Sequence, residues 1–186
     1  MMIAKANSVK GVNIDLRNAV VTDAEFILSL RLDPGKSRFL STTSSSVEDQ
    51  VNWLRRYEDS CDQAYFVICD KQGEKLGCVR IYDPDDTSYC WGSWLMVSGL
   101  SPLVSIESAV LIYAYGKYLG FESARIDVRK DNVHVWTFHE RLCGAERVRE
   151  TESQYYYRMS AASIDAFLGK FPHLVPKPLV VIPYGT

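Results

Sequence analysis

The chain has 186 residues, of which 47% are hydrophobic, enough for one domain with a packed core and too few for two domains of ordinary size. Its formal charge of −2 gives no general attraction to phosphate backbones, so nucleic acid is not expected as the main partner. No apolar run approaches the ~20 residues that a membrane span needs, and the first residues lack a signal-peptide core. We therefore expect a cytoplasmic protein without a membrane partner.

The cysteines and histidines indicate neither a disulfide framework nor a metal site. The five cysteines are an odd number and form no C-x-x-C pair, which favours a reducing compartment. The three histidines show no metal-ligand spacing, so no metal is expected.

In chain order, the first predicted elements are a strand, two helices and a loop. Residues 14–17 alternate apolar and polar side chains and predict a strand. A helix follows from about residue 22 to residue 32, and Pro34 and Gly35 end it. The serines and threonines of residues 37–46 predict a loop, and a serine near Ser46 caps a second helix.

Three antiparallel strands are predicted next. Residues 64–69 and 76–82 are joined by a short polar link that contains glycine, which is typical of a hairpin. Residues 90–97 follow an acidic turn and predict the third strand. Strict alternation along it would place Trp91 and Ser93 on one face and Trp94 on the other.

Two strand-loop-helix units come after these strands. The first runs from the strand of Trp94 through the loop 98–102 into an apolar helix over about residues 106–119. The second has alternating residues 126–129, then Asn132, then a helix with Val135, Phe138 and Leu142 on one face, closed by Gly144. Two such units in succession predict a cofactor cleft.

The C-terminal part is predicted to hold two strands, over residues 147–149 and 155–159, and a short helix over residues 161–168. Residues 172–186 contain four of the seven prolines and cannot hold a regular helix. An extended edge segment, a surface tail and disorder remain as alternatives for this stretch.

The second unit resembles the GNAT superfamily of acetyl-CoA-dependent N-acetyltransferases. In that family the fifth strand ends at an asparagine, followed by a helix of the form N-x-x-A-x-x-[LF]-Y-x-x-x-G. Here the matching residues are Asn132, Val135, Phe138, His139 and Gly144, with the glycine one residue later than usual. The resemblance covers roughly residues 14–160. It implies a single α+β domain over residues 1–186, with a mostly antiparallel mixed sheet, splayed central strands and flanking helices.

The resemblance also implies where acetyl-CoA binds. The family motif [QR]-x-x-G-x-[GA] falls on Leu100, Leu103 and Ser105, of which only Ser105 fits. A helix N-terminus nevertheless attracts anions through its free N–H groups, and Pro102 has none. An ordinary turn before a helix is the alternative. The implied cofactor-binding residues are the main chain of Leu95, Met96 and Val97, then Gly99, Leu103, Val104, Ser105, Ile106 and Asn132.

The family tyrosine that protonates the leaving thiolate corresponds to His139, whose ordinary pKa of about 6.5 would keep a cationic fraction near neutral pH. The alternatives are that His139 bonds a carbonyl or solvent and that Tyr155, Tyr156 or Tyr157 supplies the hydroxyl. Spacing does not separate the candidate bases for the amine proton, which are Asp83, Glu107 and Asp127. Glu107 has an alternative reading as a carboxylate that stabilises the start of its helix.

The implied reaction is acetyl transfer from acetyl-CoA to a primary amine by direct attack in a ternary complex. Tyr82, Asp83, Trp91 and Trp94 are the predicted acceptor contacts, because aromatic faces bind ring-bearing molecules. Residues 91–132 are similar to bacterial acetyltransferases that act on amino-sugar nucleotides, which favours a small-molecule acceptor. The branch that acetylates ribosomal-protein N-termini and a non-catalytic CoA-binding module remain open. A homodimer is common in the resembled family.

Overall fold

The computed structural model describes residues 2–185, so Met1 and Thr186, which the predicted domain and tail include, lie outside the described part. The strands are β1 Ala6–Lys10, β2 Ile14–Asn18, β3 Ala64–Asp70, β4 Lys75–Tyr82, β5 Ser88–Met96, β6 Ser123–Arg129, β7 Glu146–Glu150, β8 Gln154–Met159 and β9 Val180–Pro183. The helices are α1 Ala24–Leu32, α2 Pro34–Ser37, α3 Val47–Asp59, α4 Pro102–Tyr118, α5 Val133–Thr137 and α6 Ala161–Lys170. A 3-10 turn, Val21–Asp23, precedes α1, and a π-helical turn, Phe138–Cys143, continues α5.

The nine strands of the described residues form one sheet in the order β7-β8-β6-β5-β4-β3-β2-β1-β9. Every neighbouring pair with an assigned direction is antiparallel except β5 and β6, which run parallel. A parallel pair needs a crossover connection, and α4 supplies it. The predicted α+β class with a mixed, mostly antiparallel sheet is confirmed.

Helices cover both faces of the sheet. On one face α4 and α6 bury the larger apolar cluster, to which Leu111, Tyr113 and Phe167 belong. On the other face α1 and α3 bury a second cluster, to which Ile27 and Leu54 belong. Alternate residues along each strand therefore face either the α4 side or the α3 side.

One edge strand was not predicted from the sequence, and another decides between the alternatives for the C-terminal tail. Strand β1 was not predicted, and it pairs with β2 through the hairpin turn at Gly11. The proline-containing tail forms β9, which pairs antiparallel with β1, so the extended edge segment is the correct one of the three alternatives. Within residues 2–185, no helix is long and apolar enough to cross a membrane.

Candidate active site

A gap opens between the two parallel central strands. Pairing runs through Ser88–Ser123, Tyr89–Ala124 and Cys90–Arg125 and then stops, although β5 continues to Met96 and β6 to Arg129. Beyond this point the strands line a cavity of about 1230 Å³. The gap leaves strand-edge N–H and C=O groups without a partner strand, and an extended ligand can bond them as an added strand.

A β-bulge in β5 shapes the wall of this cavity. Cys78 pairs with Leu95 and Arg80 pairs with Gly92, so β5 carries one extra residue, and Ser93 has a left-handed φ of 47°. The bulge interrupts the alternation, and the Trp91 and Trp94 rings pack together at 5.4 Å on the α4 side. The prediction that they face opposite sides was wrong.

The two tryptophans are held on that side by further contacts. Trp94 Nε1 donates to Ser108 Oγ of α4 at 3.0 Å, and Trp91 packs on Tyr113 of the same helix. Both residues line the cavity. They form its α4-side wall.

The main chain of β5 presents Met96 to the gap. The Val97 N–H donates to the Leu76 carbonyl of β4 at 2.9 Å, which removes it from the candidate donors. Since successive N–H groups of a strand point to opposite edges, the Met96 N–H points towards β6. Leu95, Met96 and Val97 all line the cavity.

The N-terminus of α4 offers fewer donors than the sequence suggested. Ser101 caps the helix, accepting from Leu103 N–H with its side chain and from Val104 N–H with its carbonyl. Leu103, Val104 and Ile106 are not among the residues that line the cavity, and their contact with the cofactor stays a prediction. Ser105 and Gly99 do line it; the Gly99 N–H has no hydrogen-bond acceptor in the described chain, whereas Ser105 is already the fourth residue of α4. Gly99 has a φ of 84°, which favours glycine.

Asn132 lies at the start of α5, where β6 gives way to a helix. Its carbonyl accepts from the N–H groups of Val135 and Trp136, while its side-chain amide has no hydrogen-bond partner in the described chain. Asn132 is one of the residues that line the cavity. It is therefore free to bond an amide-bearing ligand in the gap.

The helix after Asn132 contains one extra residue, and the structure shows how it is accommodated. Residues Phe138–Cys143 form a π-helical turn, which adds one residue per turn relative to an α-helix. The Gly144 N–H donates to the His139 carbonyl, and Gly144 ends the turn at a φ of 75°. This turn explains why the glycine comes one position later than in the resembled motif.

His139 lies inside that π-helical turn and is 1% exposed. Its ring packs on Trp91 at 5.2 Å and stacks on Tyr157 at 6.4 Å. Burial lowers the pKa of the imidazole to about 3, because no neighbouring carboxylate compensates the lost hydration of the cation. His139 is thus neutral at physiological pH, and the expected cationic acid was wrong. Its Nδ1 is buried without a hydrogen-bond partner among the described residues.

Asp127 faces the cavity from β6 on the α3 side, because its neighbours Ile126 and Val128 belong to the α4-side core. Its carboxylate has no ion-pair partner within residues 2–185 and accepts from the Cys90 thiol at 3.7 Å. Arg129, on the same face of β6, has its Nε 3.8 Å from Asp131 Oδ1 instead. Tyr82 lies on the same face, and burial is the main cause that raises its phenol pKa above the ordinary value.

The comparison of the chain with known protein families agrees with this geometry. Residues 13–144 match the acetyltransferase (GNAT) domain family, which is more than half of the chain. The chain belongs to the GNAT family of acetyltransferases. Members use acetyl-CoA, so the predicted acetyl-CoA-dependent N-acetyltransferase and the predicted GNAT fold are confirmed.

Solved structures show the same fold. FdhC, described as a nucleotide-linked sugar GNAT, has a TM-score of 0.79 and 29% identity, covering 89% of this chain and 97% of its own. A GNAT-family acetyltransferase from Bacillus anthracis has a TM-score of 0.71 at 15% identity, covering 83% and 99%. The spermidine/spermine N-acetyltransferase SpeG from Vibrio cholerae has 0.68 at 12%, covering 85% and 98%. No curated protein sequence matches the chain.

Two predicted site residues of this GNAT chain lie outside the cavity. The Glu107 carboxylate is fully buried and accepts from the N–H groups of Val12, Asn13 and Ile14 and from the Asn13 amide. It anchors the β1–β2 turn to α4 and is withdrawn as a base. Asp83 lies at the closed end of the sheet and pairs with Arg125 at 3.3 Å.

Sequence reasoning missed several lining residues. The connection between α1 and α3 was predicted only as a loop, and it contributes Lys36, Phe39 and Leu40 to the cavity lining. Gln154 at the start of β8 also lines it. Their signal was weak, because loop residues carry no periodicity from which a direction can be read.

Proposed function

We propose that this GNAT protein transfers the acetyl group of acetyl-CoA to the primary amine of a nucleotide-linked amino sugar, by direct attack in a ternary complex. The supporting observation is the gap that opens beyond Cys90 and Arg125, with free polar groups along its edges. The printed description of FdhC supports the acceptor class.

Acetyl-CoA fits the donor side of this gap. The pantetheine arm carries amides, which match the Met96 main chain and the free Asn132 side chain. The diphosphate is assigned to the start of α4, where Gly99 and Ser105 line the cavity, the Gly99 N–H is free within the described chain and the helix dipole favours an anion. Leu95 and Val97 form an apolar part of the cavity wall.

Asp127 is proposed as the group that receives the amine proton. The acceptor nitrogen must lose a proton when its bond to the carbonyl carbon forms and the carbon–sulfur bond breaks. Asp127 is an exposed carboxylate, unpaired with any cation of the described chain, on the face opposite α4. Since proximity itself supplies much of the rate in such sites, few further groups are needed.

His139 is proposed as a neutral hydrogen-bond donor to the developing thiolate. With a pKa of about 3 the ring carries one N–H and one lone pair throughout the physiological range. A donor in a dry, buried position stabilises negative charge more than it would in water. The thiolate then takes its proton from solvent as the product leaves.

A thiol-release assay with a panel of amines tests the proposal. The panel holds a nucleotide-linked amino sugar, the same sugar without its nucleotide, spermidine and a peptide with a free N-terminus. We expect the highest kcat/KM for the nucleotide-linked sugar. A higher kcat/KM for spermidine or the peptide would overturn the acceptor class, and absence of acetyl-CoA binding in a titration would overturn the reaction.

A further inference from the structure

A second pocket lies on the α3 side of the sheet, next to the main cavity. It has a volume of about 360 Å³ and is contributed by α1, α3, β4 and the connection between the helices. Arg31, Ser41 and Ser93 line both spaces, so the two are continuous. We call it the arginine pocket, after Arg31, Arg56 and Arg80.

The three arginines have no carboxylate partner within residues 2–185. Asp49 is the acidic residue among the described ones that line the pocket, and it accepts from Ser44 Oγ at 2.6 Å. Three positive charges therefore face one negative charge, in a protein whose formal charge is −2. Such a local excess attracts an anion.

The Arg80 side chain is held in place by contacts with two aromatic rings. Its guanidinium lies between the rings of Trp53, at 5.2 Å, and Tyr82, at 4.7 Å, which fixes its plane. Its Nε is buried and has no hydrogen-bond acceptor in the described chain. The half-buried Arg80 guanidinium has lost part of its hydration, and its Nε–H donates to no acceptor. A bound anion would balance the charge and accept the hydrogen bond from Nε.

Arg31 is also held in place, by bonds that leave its charge uncompensated. Its Nε donates to Thr43 Oγ1 at 2.9 Å and one terminal nitrogen donates to Ser41 Oγ at 3.3 Å. Neutral hydroxyls orient the guanidinium without neutralising it. Arg56 completes the set from the exposed surface of α3.

The arginine pocket lies on the same face as the proposed base. Arg80 and Tyr82 face the α3 side of β4, Tyr82 pairs with Cys90, and the Cys90 thiol contacts Asp127. From β4 to β6 there are two strand spacings, at least about 10 Å, which one sugar ring and the side chains on either side can span.

We propose that the arginine pocket binds the diphosphate of the nucleotide-linked acceptor and so places its sugar amine at Asp127. Arginine binds phosphate oxygens in a bidentate manner, and three uncompensated guanidinium groups match the charge of a diphosphate. The same charges repel a polyamine or a basic peptide. This inference rests on the proposed function and names the group of the acceptor that the protein recognises.

Isothermal titration with UDP, dTDP, inorganic pyrophosphate and acetyl-CoA tests the proposal. The variants are Arg80→Met and Arg56→Met, which keep much of the aliphatic stem, and the control is Arg55→Met. Arg55 neighbours Arg56 on α3 but does not line the pocket, and it bonds Asn52.

We expect UDP or dTDP to bind the unmodified protein more tightly than pyrophosphate does. Arg80→Met and Arg56→Met should each weaken this binding at least tenfold, while Arg55→Met leaves it unchanged. The Kd for acetyl-CoA should be the same in all four proteins, which also shows that the variants fold; if Arg80→Met fails this check, the exposed Arg56→Met carries the test.

Two results would overturn the arginine pocket while leaving acetyl transfer intact: no nucleotide binding, or equal nucleotide affinity with and without the arginines. Failure of the unmodified protein to bind acetyl-CoA would instead overturn the proposed function.

Discussion

The Sγ atom of Cys90 lies 3.7 Å from Oδ1 of Asp127, at the point where β5 and β6 part. Burial raises the pKa of this thiol to about 11, so Cys90 stays protonated and donates to the carboxylate. The carboxylate is thereby oriented by an uncharged neighbour and remains available to an amine on the α3 side.

Replacement of this carboxylate should slow the chemical step. Asp127→Asn keeps the size of the side chain and removes its capacity to accept a proton, and general base catalysis contributes roughly 100-fold or more. We expect kcat to fall by about that factor, with the KM for acetyl-CoA unchanged. Glu122→Gln, an exposed position just before β6, is the matched control. Equal kcat in Asp127→Asn and the unmodified protein would remove Asp127 from the mechanism.

Loss of the His139 donor should affect turnover more than cofactor binding. His139→Phe preserves the aromatic packing and removes both ring nitrogens. A hydrogen bond to a charged group contributes about 1.5 to 3 kcal/mol, so kcat should fall roughly 10-fold to 100-fold. The acetyl-CoA Kd should stay constant, as it should in the exposed-site control His173→Gln. A kcat that does not change would assign His139 to packing alone.

The neutral state of His139 makes stability depend on pH. Its folded pKa of about 3 lies below the ordinary 6.5, so between these values the unfolded state binds more protons and stability falls as pH falls. From pH 6.5 to pH 4.5 the loss from this residue is about 2 kcal/mol.

Urea unfolding at pH 4.5, 5.5, 6.5 and 7.5 measures this dependence. The free energy of unfolding of His139→Phe should fall less steeply below pH 6.5 than that of the unmodified protein. Parallel curves for the two proteins would mean that His139 titrates normally in the fold.

Much of the fold can be predicted from the sequence, because alternation marks strands, a long apolar run marks α4 and helical spacing marks the Asn132 helix. Local irregularities cannot be predicted in the same way. The bulge at Ser93 turns Trp94 to the side of Trp91, and the π-helical turn around His139 absorbs an extra residue. Both follow from tertiary packing, which periodicity does not record.

Long-range contacts could not be predicted from the sequence either. The Glu107 carboxylate accepts hydrogen bonds from N–H groups of the β1–β2 turn, which lies 93 to 95 positions away along the chain. No spacing rule connects the two segments. The depressed pKa of His139 depends on rings contributed by β5, the neighbouring Phe138 and β8. Sequence position indicated that His139 belongs to the site but gave the wrong protonation state.

Glu107 should prove structural. Its carboxylate accepts three backbone N–H bonds and one amide bond in a fully buried position. Glu107→Ala leaves these donors unsatisfied, and we expect a loss of roughly 3 kcal/mol or more in the free energy of unfolding. The kcat of the folded fraction should be unchanged. A fall in kcat with an unchanged Tm would restore Glu107 as a base candidate.

The position of the diphosphate beside Ser105 can be tested by a pair of substitutions. Ser105→Asp places a carboxylate at the start of α4, while Ser105→Asn has the same size and no charge. We expect acetyl-CoA to bind roughly tenfold more weakly to the aspartate variant, because like charges repel, than to the asparagine variant. Equal affinities in both variants would move the diphosphate away from this helix.

A crystal structure of the protein with acetyl-CoA would show whether the cofactor binds in the gap between β5 and β6. We expect the pantetheine arm to lie extended between these strands, bonded to the Met96 main chain and the Asn132 amide, with the diphosphate at the start of α4 beside Gly99 and Ser105. Acetyl-CoA bound elsewhere on the surface, with the two strands closed against each other beyond Cys90 and Arg125, would contradict this expectation.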